Sequence, residues 1–245
     1  MSDQAKLKPA FSPSLDIACE QLKKRDAALL VANGNHHIHS SPHGTKDLCY
    51  LTTREILSSG QQRRTQYPWE LVGDSTQTFL RSSQDRHQII NKILEHTRAE
   101  SKRHLRDAVT SILEELLTNA IYHPYQQGAE LPKYQRKQRV TLSKEEMIRV
   151  TYGGNSSGVY LDVSDQGGAL KFEDIARCFK RCYEAGANQI ETKESGAGLG
   201  LYFVFDSSTH MKVEVKSNRT SISCWISDKR NFDPLVFSFN YFDWR

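Results

Sequence analysis

The sequence predicts an α+β protein, a two-layer α/β sandwich in which helices pack on a largely antiparallel sheet. Two helical patterns follow one another between residues 84 and 122, and strand-length runs of alternating apolar residues dominate from residue 139 onward. Apolar residues make up 38% of the 245 residues, which is enough for a core. Helices followed by antiparallel hairpins are typical of a two-layer fold.

Composition and charge exclude several function classes. The mean hydropathy is −0.61, and the longest apolar runs are far shorter than the ~20 residues of a spanning helix, so we expect no membrane partner. The first residues lack the apolar core of a signal peptide, and the cysteines number five. We therefore expect a cytoplasmic protein with reduced thiols. The basic run at 133–139 has no aromatic stacking platform, so no nucleic-acid partner is expected.

Residues 1–72 are predicted to form a small α/β extension. The pattern predicts a helix over 13–27, a strand over 28–31 and a helix over 46–57, and the polar stretch 58–64 marks a boundary. A segment this short buries little surface alone, so we expect it to pack on the domain that comes after it. Four histidines lie in a stretch that contains glycine, serine and proline and is predicted to be a mobile loop. Metal binding by His36, His37, His39 and His43 is one interpretation of this cluster.

The main domain is predicted to span residues 73–228. Its pattern predicts helices over 84–98, 102–122 and 172–183 and from 199, together with strands over 76–80, 139–142, 147–152, 159–164, 212–216 and 221–226. Residues 229–245 form a tail with alternating aromatic side chains. We expect this tail to pack on its own domain rather than bind a partner.

The second long helix carries a candidate site on its polar stripe. Leu113, Leu117 and Ala120 share the apolar face, whereas Glu115 and Asn119 lie together on the other side, one turn apart. A carboxylate and an amide oxygen placed in this way suit a hard cation that keeps water ligands. A plain solvated helix face would show the same spacing, so this pattern alone leaves both interpretations open.

Two later strands each direct a polar side chain inward. Asp165 shares strand parity with Val159, Leu161 and Val163, so its carboxylate is expected to face the core side at the strand end. It could cap the following turn, or accept a hydrogen bond from a ligand amine such as that of adenine, with Gly168 giving the base room. Thr220 likewise shares parity with the apolar residues of the last strand pair and could support Asp165.

The most specific pattern is a glycine-rich loop that leads into an apolar helix. Gly196, Gly198 and Gly200 alternate, with Leu199 between the last two. Glycines let backbone N–H groups turn toward an anion, and the start of the following helix adds its positive dipole end, so the pattern predicts a phosphate site. Neither a dinucleotide-binding fingerprint nor a P-loop motif is present. A flexible structural turn is the alternative.

Taken in chain order, these four motifs resemble the GHKL ATPase superfamily of gyrase, large heat-shock chaperone, histidine kinase and MutL. Residues 115–123 (Glu-Leu-Leu-Thr-Asn-Ala-Ile-Tyr-His) and 198–204 (Gly-Leu-Gly-Leu-Tyr-Phe-Val) look most like anti-sigma-factor serine/threonine kinases, and the resemblance covers about 75–228. It implies a Bergerat fold that binds ATP and Mg²⁺.

The resemblance also implies a role for each site residue. Glu115 would be the general base, Thr118 would orient it, Asn119 would bind Mg²⁺ and Asp165 would read adenine. The other nucleotide-binding residues would be Gly168, Gly196, Gly198, Leu199, Gly200 and Thr220. The usual D-x-G-x-G box is altered, because residues 165–169 read Asp-Gln-Gly-Gly-Ala.

The implied function is that of a partner-switching kinase, which binds a sigma factor or a STAS-domain antagonist and transfers the γ-phosphate of ATP to a serine or threonine of the antagonist. The resemblance does not decide whether the protein forms a homodimer. Residues 1–72 weakly resemble a shortened receiver without a phosphorylatable aspartate. Two alternatives are a non-catalytic, nucleotide-gated interaction module and a histidine-kinase catalytic domain. The second is disfavoured because His87 and His104 lie too close to Asn119 for a separate phospho-accepting hairpin.

Overall fold

The computed structural model describes residues 22–59, 66–71, 74–124, 126–127, 131–135, 138–182, 199–228 and 236–245. The helices are α1 (Lys24–Ala32), α2 (Leu48–Ser59), α3 (Arg86–His96), α4 (Arg103–Tyr122), α5 (Phe172–Arg181) and α6 (Gly200–Ser207). The strands are β1 (His37–Ser40), β2 (Thr76–Leu80), β3 (Gln126–Gln127), β4 (Leu131–Pro132), β5 (Ile148–Asn155), β6 (Gly158–Asp165), β7 (His210–Lys216), β8 (Arg219–Ser227) and β9 (Phe237–Asp243).

A seven-stranded sheet in the order β1-β9-β7-β8-β6-β5-β2 forms the centre of the fold, and β3 and β4 form a separate small hairpin. All neighbours in the large sheet are antiparallel except β7 and β9, which are parallel. Helix α4 contacts β5, β6 and β8, α3 contacts β2 and β5, and α6 contacts β7. The predicted α+β sandwich is therefore confirmed.

The long helix α4 buries the side chains that its period predicts. Leu113 and Leu117 are fully buried and Ala120 is almost so, whereas Glu115 and Asn119 on the polar stripe are half-buried. Fully burying a leucine side chain contributes roughly 1.5–3 kcal/mol. This packing holds the polar stripe of α4 at a fixed place above the sheet.

The described part of the N-terminal segment contributes two helices and one strand, and the strand, β1, joins the main sheet. Residues 28–31, predicted as a strand, belong to α1, where Ala27, Ala28 and Val31 bury a helical face; alanine and leucine favour a helix. The predicted loop around the histidines contains β1, which pairs antiparallel with β9, and α1 packs on α5. Most of the predicted helix over 13–27 lies outside the described residues.

The C-terminal aromatic segment is also part of the sheet. Strand β9 lies between β1 and β7, and Phe237, Phe239 and Tyr241 enter the main core. The strand predicted over 139–142 is wrong, since only Thr141 forms an isolated bridge, to Ser82. Its alternating pattern reflects the burial of Val140 and Leu142 without a continuous strand ladder. Within the described residues, no helix is long and apolar enough to cross a membrane.

Candidate functional site

Helix α4 fixes the first pair of candidate side chains. The amide Nδ2 of Asn119 donates a hydrogen bond of 2.7 Å to Oε1 of Glu115, one turn earlier. This bond holds the carboxylate of Glu115 and uses the nitrogen of Asn119, so the amide oxygen Oδ1 is not consumed by it. A carboxylate held in place beside an amide oxygen can serve as a base next to a hard cation.

Thr118 has a partner that the sequence did not indicate. Its hydroxyl accepts a 2.7 Å hydrogen bond from Nη1 of Arg86, at the start of α3, and Arg86 also forms a 3.6 Å ion pair with Glu114. The resemblance assigned Thr118 to the orientation of Glu115, whereas this hydroxyl bonds to Arg86. No local pattern reveals this contact, because the two residues are separated by a whole helix in sequence.

The glycine motif meets α4 at the first residue of α6. A Cβ atom placed on Gly200 would lie 1.7 Å from Oε1 of Glu115, so any other residue at this position would displace the carboxylate. Leu199 is the residue that precedes the helix. Gly196 and Gly198 lie outside the described residues. The structure thus brings Glu115, Asn119 and Gly200 together.

Asp165 ends β6 with its carboxyl group buried, 9% exposed. Oδ1 accepts a 2.8 Å hydrogen bond from the backbone N–H of Gly167. Burial raises the pKa of Asp165 to about 6, and hydrogen bonds from the backbone of Gly167, Gly168 and Thr220 oppose that rise. The side chain is therefore mainly a carboxylate at neutral pH, able to accept a further hydrogen bond from a ligand donor.

The turn after Asp165 requires glycine for two different reasons. Gly168 has φ +62°, and a Cβ atom there would lie 2.4 Å from the carbonyl oxygen of Lys216. At Gly167 a Cβ atom would lie 2.3 Å from Cβ of Pro124, just after α4. The turn is therefore packed between the β7–β8 hairpin and the end of the helix that carries Asn119.

Thr220 lies directly opposite Asp165 in the β6–β8 pairing and is 4% exposed. The predicted inward parity of both residues is observed. The contact between them runs through the backbone N–H of Thr220 to the Asp165 carboxylate. Asp165, Gly168 and Thr220 therefore form a second group, near the end of α4, beside the group formed by Glu115, Asn119 and Gly200.

The donor set fits a nucleotide-bound magnesium ion. Among the described residues, no group of three or more histidine, cysteine, aspartate or glutamate side chains could hold a metal. Magnesium bound with a nucleotide needs only one or two protein oxygens, because phosphate and water supply the other ligands. The amide oxygen of Asn119 meets that requirement.

Two of the candidate metal-binding histidines have other partners. Nδ1 of His37 and Nε2 of His39 lie 3.2 and 3.1 Å from Oδ1 of Asn240, and Nε2 of His39 also lies 2.9 Å from the hydroxyl of Thr53. Burial lowers the pKa of His37 to about 3 and that of His39 to about 4. These side chains therefore join β1 to β9 as neutral, buried hydrogen-bonding groups.

A family model described as Histidine kinase-, DNA gyrase B-, and HSP90-like ATPase matches residues 104–230. The match covers more than half of the chain and includes all the candidate site residues, from Glu115 to Thr220. No curated protein matches the chain closely enough to be compared with it. The chain belongs to the histidine kinase-, gyrase B- and HSP90-like (GHKL) ATPase family, whose domain binds ATP.

Proposed function

We propose that this protein binds ATP with Mg²⁺ and transfers the γ-phosphate to a serine or threonine hydroxyl of a partner protein. The observation that carries the proposal is the carboxylate of Glu115, held by Asn119 and touching the first residue of α6. A base at the start of the helix that follows a glycine motif lies where a terminal phosphate would be bound.

The adenine end of the ligand is assigned to the second group of residues. The Asp165 carboxylate would accept a hydrogen bond from the exocyclic amino group of adenine. Its buried position strengthens such a bond, because electrostatic interactions are stronger where the local dielectric is low. The packed Gly167–Gly168 turn leaves no side chain over the base, and the phosphates would then extend toward Asn119 and the loop before Gly200.

Glu115 would act as the general base of the transfer. Its carboxylate accepts the proton of the attacking hydroxyl, the hydroxyl oxygen forms a bond to the γ-phosphorus, and the bond from that phosphorus to the bridging oxygen breaks to release ADP. Magnesium, held by Asn119 and the phosphates, would neutralise developing negative charge. The hydrogen bond from Asn119 to Glu115 places base and metal ligand on one helical turn.

The choice of a sigma factor or a STAS-domain antagonist as the partner, with a serine or threonine of the antagonist as the acceptor, rests on the resemblance of residues 115–123 and 198–204 to anti-sigma-factor kinases. The N-terminal segment and β9, which add to the sheet beside β7, lie outside the residues matched by the family model. The N-terminal segment and β9 therefore form a surface outside the matched family domain, and this surface can select the partner protein.

The test is transfer of labelled γ-phosphate from ATP to candidate partner proteins. Glu115→Gln keeps the size of the side chain and removes the base, so we expect nucleotide binding to persist and transfer to fall by about 10²-fold or more. Glu95→Gln, an exposed carboxylate on α3, is the matched control and should transfer at the wild-type rate. Equal transfer by wild type and Glu115→Gln would overturn the role of Glu115.

The stability of the product distinguishes the alternatives. Phosphoserine and phosphothreonine survive acid, whereas phosphohistidine is lost, so acid-labile label would favour a histidine-kinase domain. Wild-type protein that binds ATP but transfers nothing to any candidate would favour a nucleotide-gated interaction module. Either result would overturn the proposed serine/threonine kinase activity.

A further inference from the structure

The face of the sheet opposite α4 is polar over its central strands. Strand alternation places Asp162 and Ser164 of β6, and Ser221 and Ser223 of β8, on this face. The face contains a cleft of about 680 Å³, within the size range of small-molecule sites. It is bordered by Trp244 near the C-terminus and by the segment that precedes β2. A cleft with so many polar groups suits a polar ligand.

One end of the cleft concentrates positive charge. Arg149 of β5, Lys216 of β7 and Arg219 of β8 line it, and Lys216 and Arg219 lie directly opposite each other in the strand pairing. Within the described parts of the chain, none of these three side chains forms an ion pair with a carboxylate. Burial and the positive charge of Arg219 lower the pKa of Lys216, and Lys212 and Arg149 add to this shift, whereas the carboxylate of Glu214 opposes it. The cations therefore crowd one another.

The other charges of the cleft are already matched. Lys212 is buried and forms ion pairs with Glu70 and, at 3.0 Å, with Glu214. Asp162 is also buried, and its Oδ2 accepts hydrogen bonds of 2.5 and 2.8 Å from the hydroxyls of Ser221 and Ser223. Arg149, Lys216 and Arg219 thus remain at one end of the cleft without a direct ion pair among the described residues, with Glu214 as the neighbouring carboxylate that attracts Lys216.

Two buried donors at this end lack partners among the described residues. Nε of Arg149 and the hydroxyl of Ser164 are both buried without a hydrogen bond, and Ser164 is fully buried. Ser164 pairs with Arg149 on one side and with Ser221 on the other, so both donors lie in one row across the sheet. A buried donor without a partner is unfavourable. Arg149 lines the cleft, so an anion bound there would satisfy its Nε, whereas Ser164 is fully buried and does not line the cleft.

We propose that this cleft binds a small organic phosphate monoester, with the phosphate against Arg149, Lys216 and Arg219. A dianionic group matches several converging cations, and arginine suits phosphate geometry in particular. The hydroxyl of Thr151 and the other polar groups along the cleft would meet a hydroxylated ligand body. The carboxylates of Glu70 and Glu214 disfavour an extended polyanion such as nucleic acid.

This site is separate from the nucleotide site. Ser164 and Asp165 are neighbours on β6 but lie on opposite faces of the sheet, and the same holds for Ser221 and Thr220 on β8. The proposal therefore does not depend on phosphotransfer or on ATP binding. Each site can be disabled by substitutions that leave the other intact.

The experiment is calorimetric titration of the full chain, in a buffer without phosphate or sulfate, with glucose 6-phosphate, inorganic phosphate and glucose. We expect the sugar phosphate to bind more tightly than inorganic phosphate, and glucose not to bind. Arg149→Gln and Arg219→Gln should each weaken binding by about tenfold or more, since each removes a charge-assisted hydrogen bond to the phosphate. Arg103→Gln, an exposed arginine at the start of α4, is the matched control and should bind as wild type does.

Thermal unfolding separates loss of the site from loss of the fold. Removing one of the three neighbouring cations should leave the melting temperature unchanged or raise it. If Arg149→Gln fails to fold, Lys216→Gln provides a further variant of the site. No binding by wild type, or equal affinity for inorganic phosphate and the ester, would overturn the proposal. Binding that is lost in Asn119→Ala but kept in Arg219→Gln would place the phosphate in the nucleotide site and would also overturn it.

Discussion

The buried carboxyl group of Asp165 is predicted to oppose folding while serving nucleotide binding. Burial raises its pKa from 3.8 to about 6 in the folded protein. Each pKa unit corresponds to about 1.4 kcal/mol, so the ionised side chain destabilises the unliganded fold by about 3 kcal/mol near neutral pH. Asp165→Asn removes the charge and keeps an oxygen for the backbone N–H of Gly167. We therefore expect this variant to be more stable than wild type by up to about 3 kcal/mol.

The same substitution should impair ATP binding. An asparagine amide nitrogen would face the adenine amino group donor to donor, and its oxygen carries no charge. Losing a charge-assisted hydrogen bond of about 1.5–3 kcal/mol weakens binding by about tenfold to a hundredfold. Asp162→Asn is the matched control, because Asp162 is buried on the same strand but on the opposite face. It should leave ATP affinity unchanged.

Urea unfolding and calorimetric titration measure the two effects. Because the folded pKa of Asp165 lies above its unfolded value, the folded state binds the proton more tightly. Its contribution to wild-type stability therefore rises as pH falls from about 6 to about 4, and the stability difference between Asp165→Asn and wild type should shrink over that window. A variant that is less stable than wild type at neutral pH and binds ATP with wild-type affinity would refute this reasoning.

Two further predictions concern Gly200 and the buried histidines. Gly200→Ala should displace the carboxylate of Glu115 and lower turnover by about tenfold or more. Its stability in urea should change little, because the atoms that the new methyl group meets lie at the end of a flexible side chain. Turnover at the wild-type rate would contradict this prediction. His37 and His39 have folded pKa values of about 3 and about 4, below the ordinary 6.5, so the unfolded state binds more protons. Each histidine should lower the free energy of unfolding by about 1.4 kcal/mol for each pH unit below about 6.5. Urea unfolding from pH 7 to 5 checks this by comparison with His37→Gln and His39→Gln, and equal slopes in all three proteins would contradict it.

The parts of the site that depend on local periodicity were predictable from sequence. The 3.6-residue period of α4 placed Glu115 and Asn119 on one polar stripe, and the two-residue period of β6 and β8 turned Asp165 and Thr220 inward. Both periods follow from backbone geometry alone. In a two-layer fold the apolar face of the helix packs on the sheet, and the apolar face of the sheet packs on the helices. The glycine motif also predicted that a helix starts near Gly200, but it did not indicate the contact between Gly200 and Glu115.

The long-range parts were not predictable in the same way. Pairing of β1 with β9 joins residues about two hundred positions apart, and four residues with two histidines carry no local strand signal. Their environment is set by Asn240, which no pattern near the histidines indicates. The bond from Arg86 to Thr118 likewise depends on how α3 packs on α4. Local propensity cannot encode contacts that form only when distant elements meet.

We propose that residues of α4, β6, β8 and the start of α6 together form one ATP site. Calorimetric titration of the full chain with ATP, with magnesium and with a chelator, tests it most directly. We expect saturable binding of one ATP per chain, with an affinity that increases with magnesium in wild type and does not increase with magnesium in Asn119→Ala. Folded wild-type protein that shows no saturable binding of ATP under either condition would contradict it.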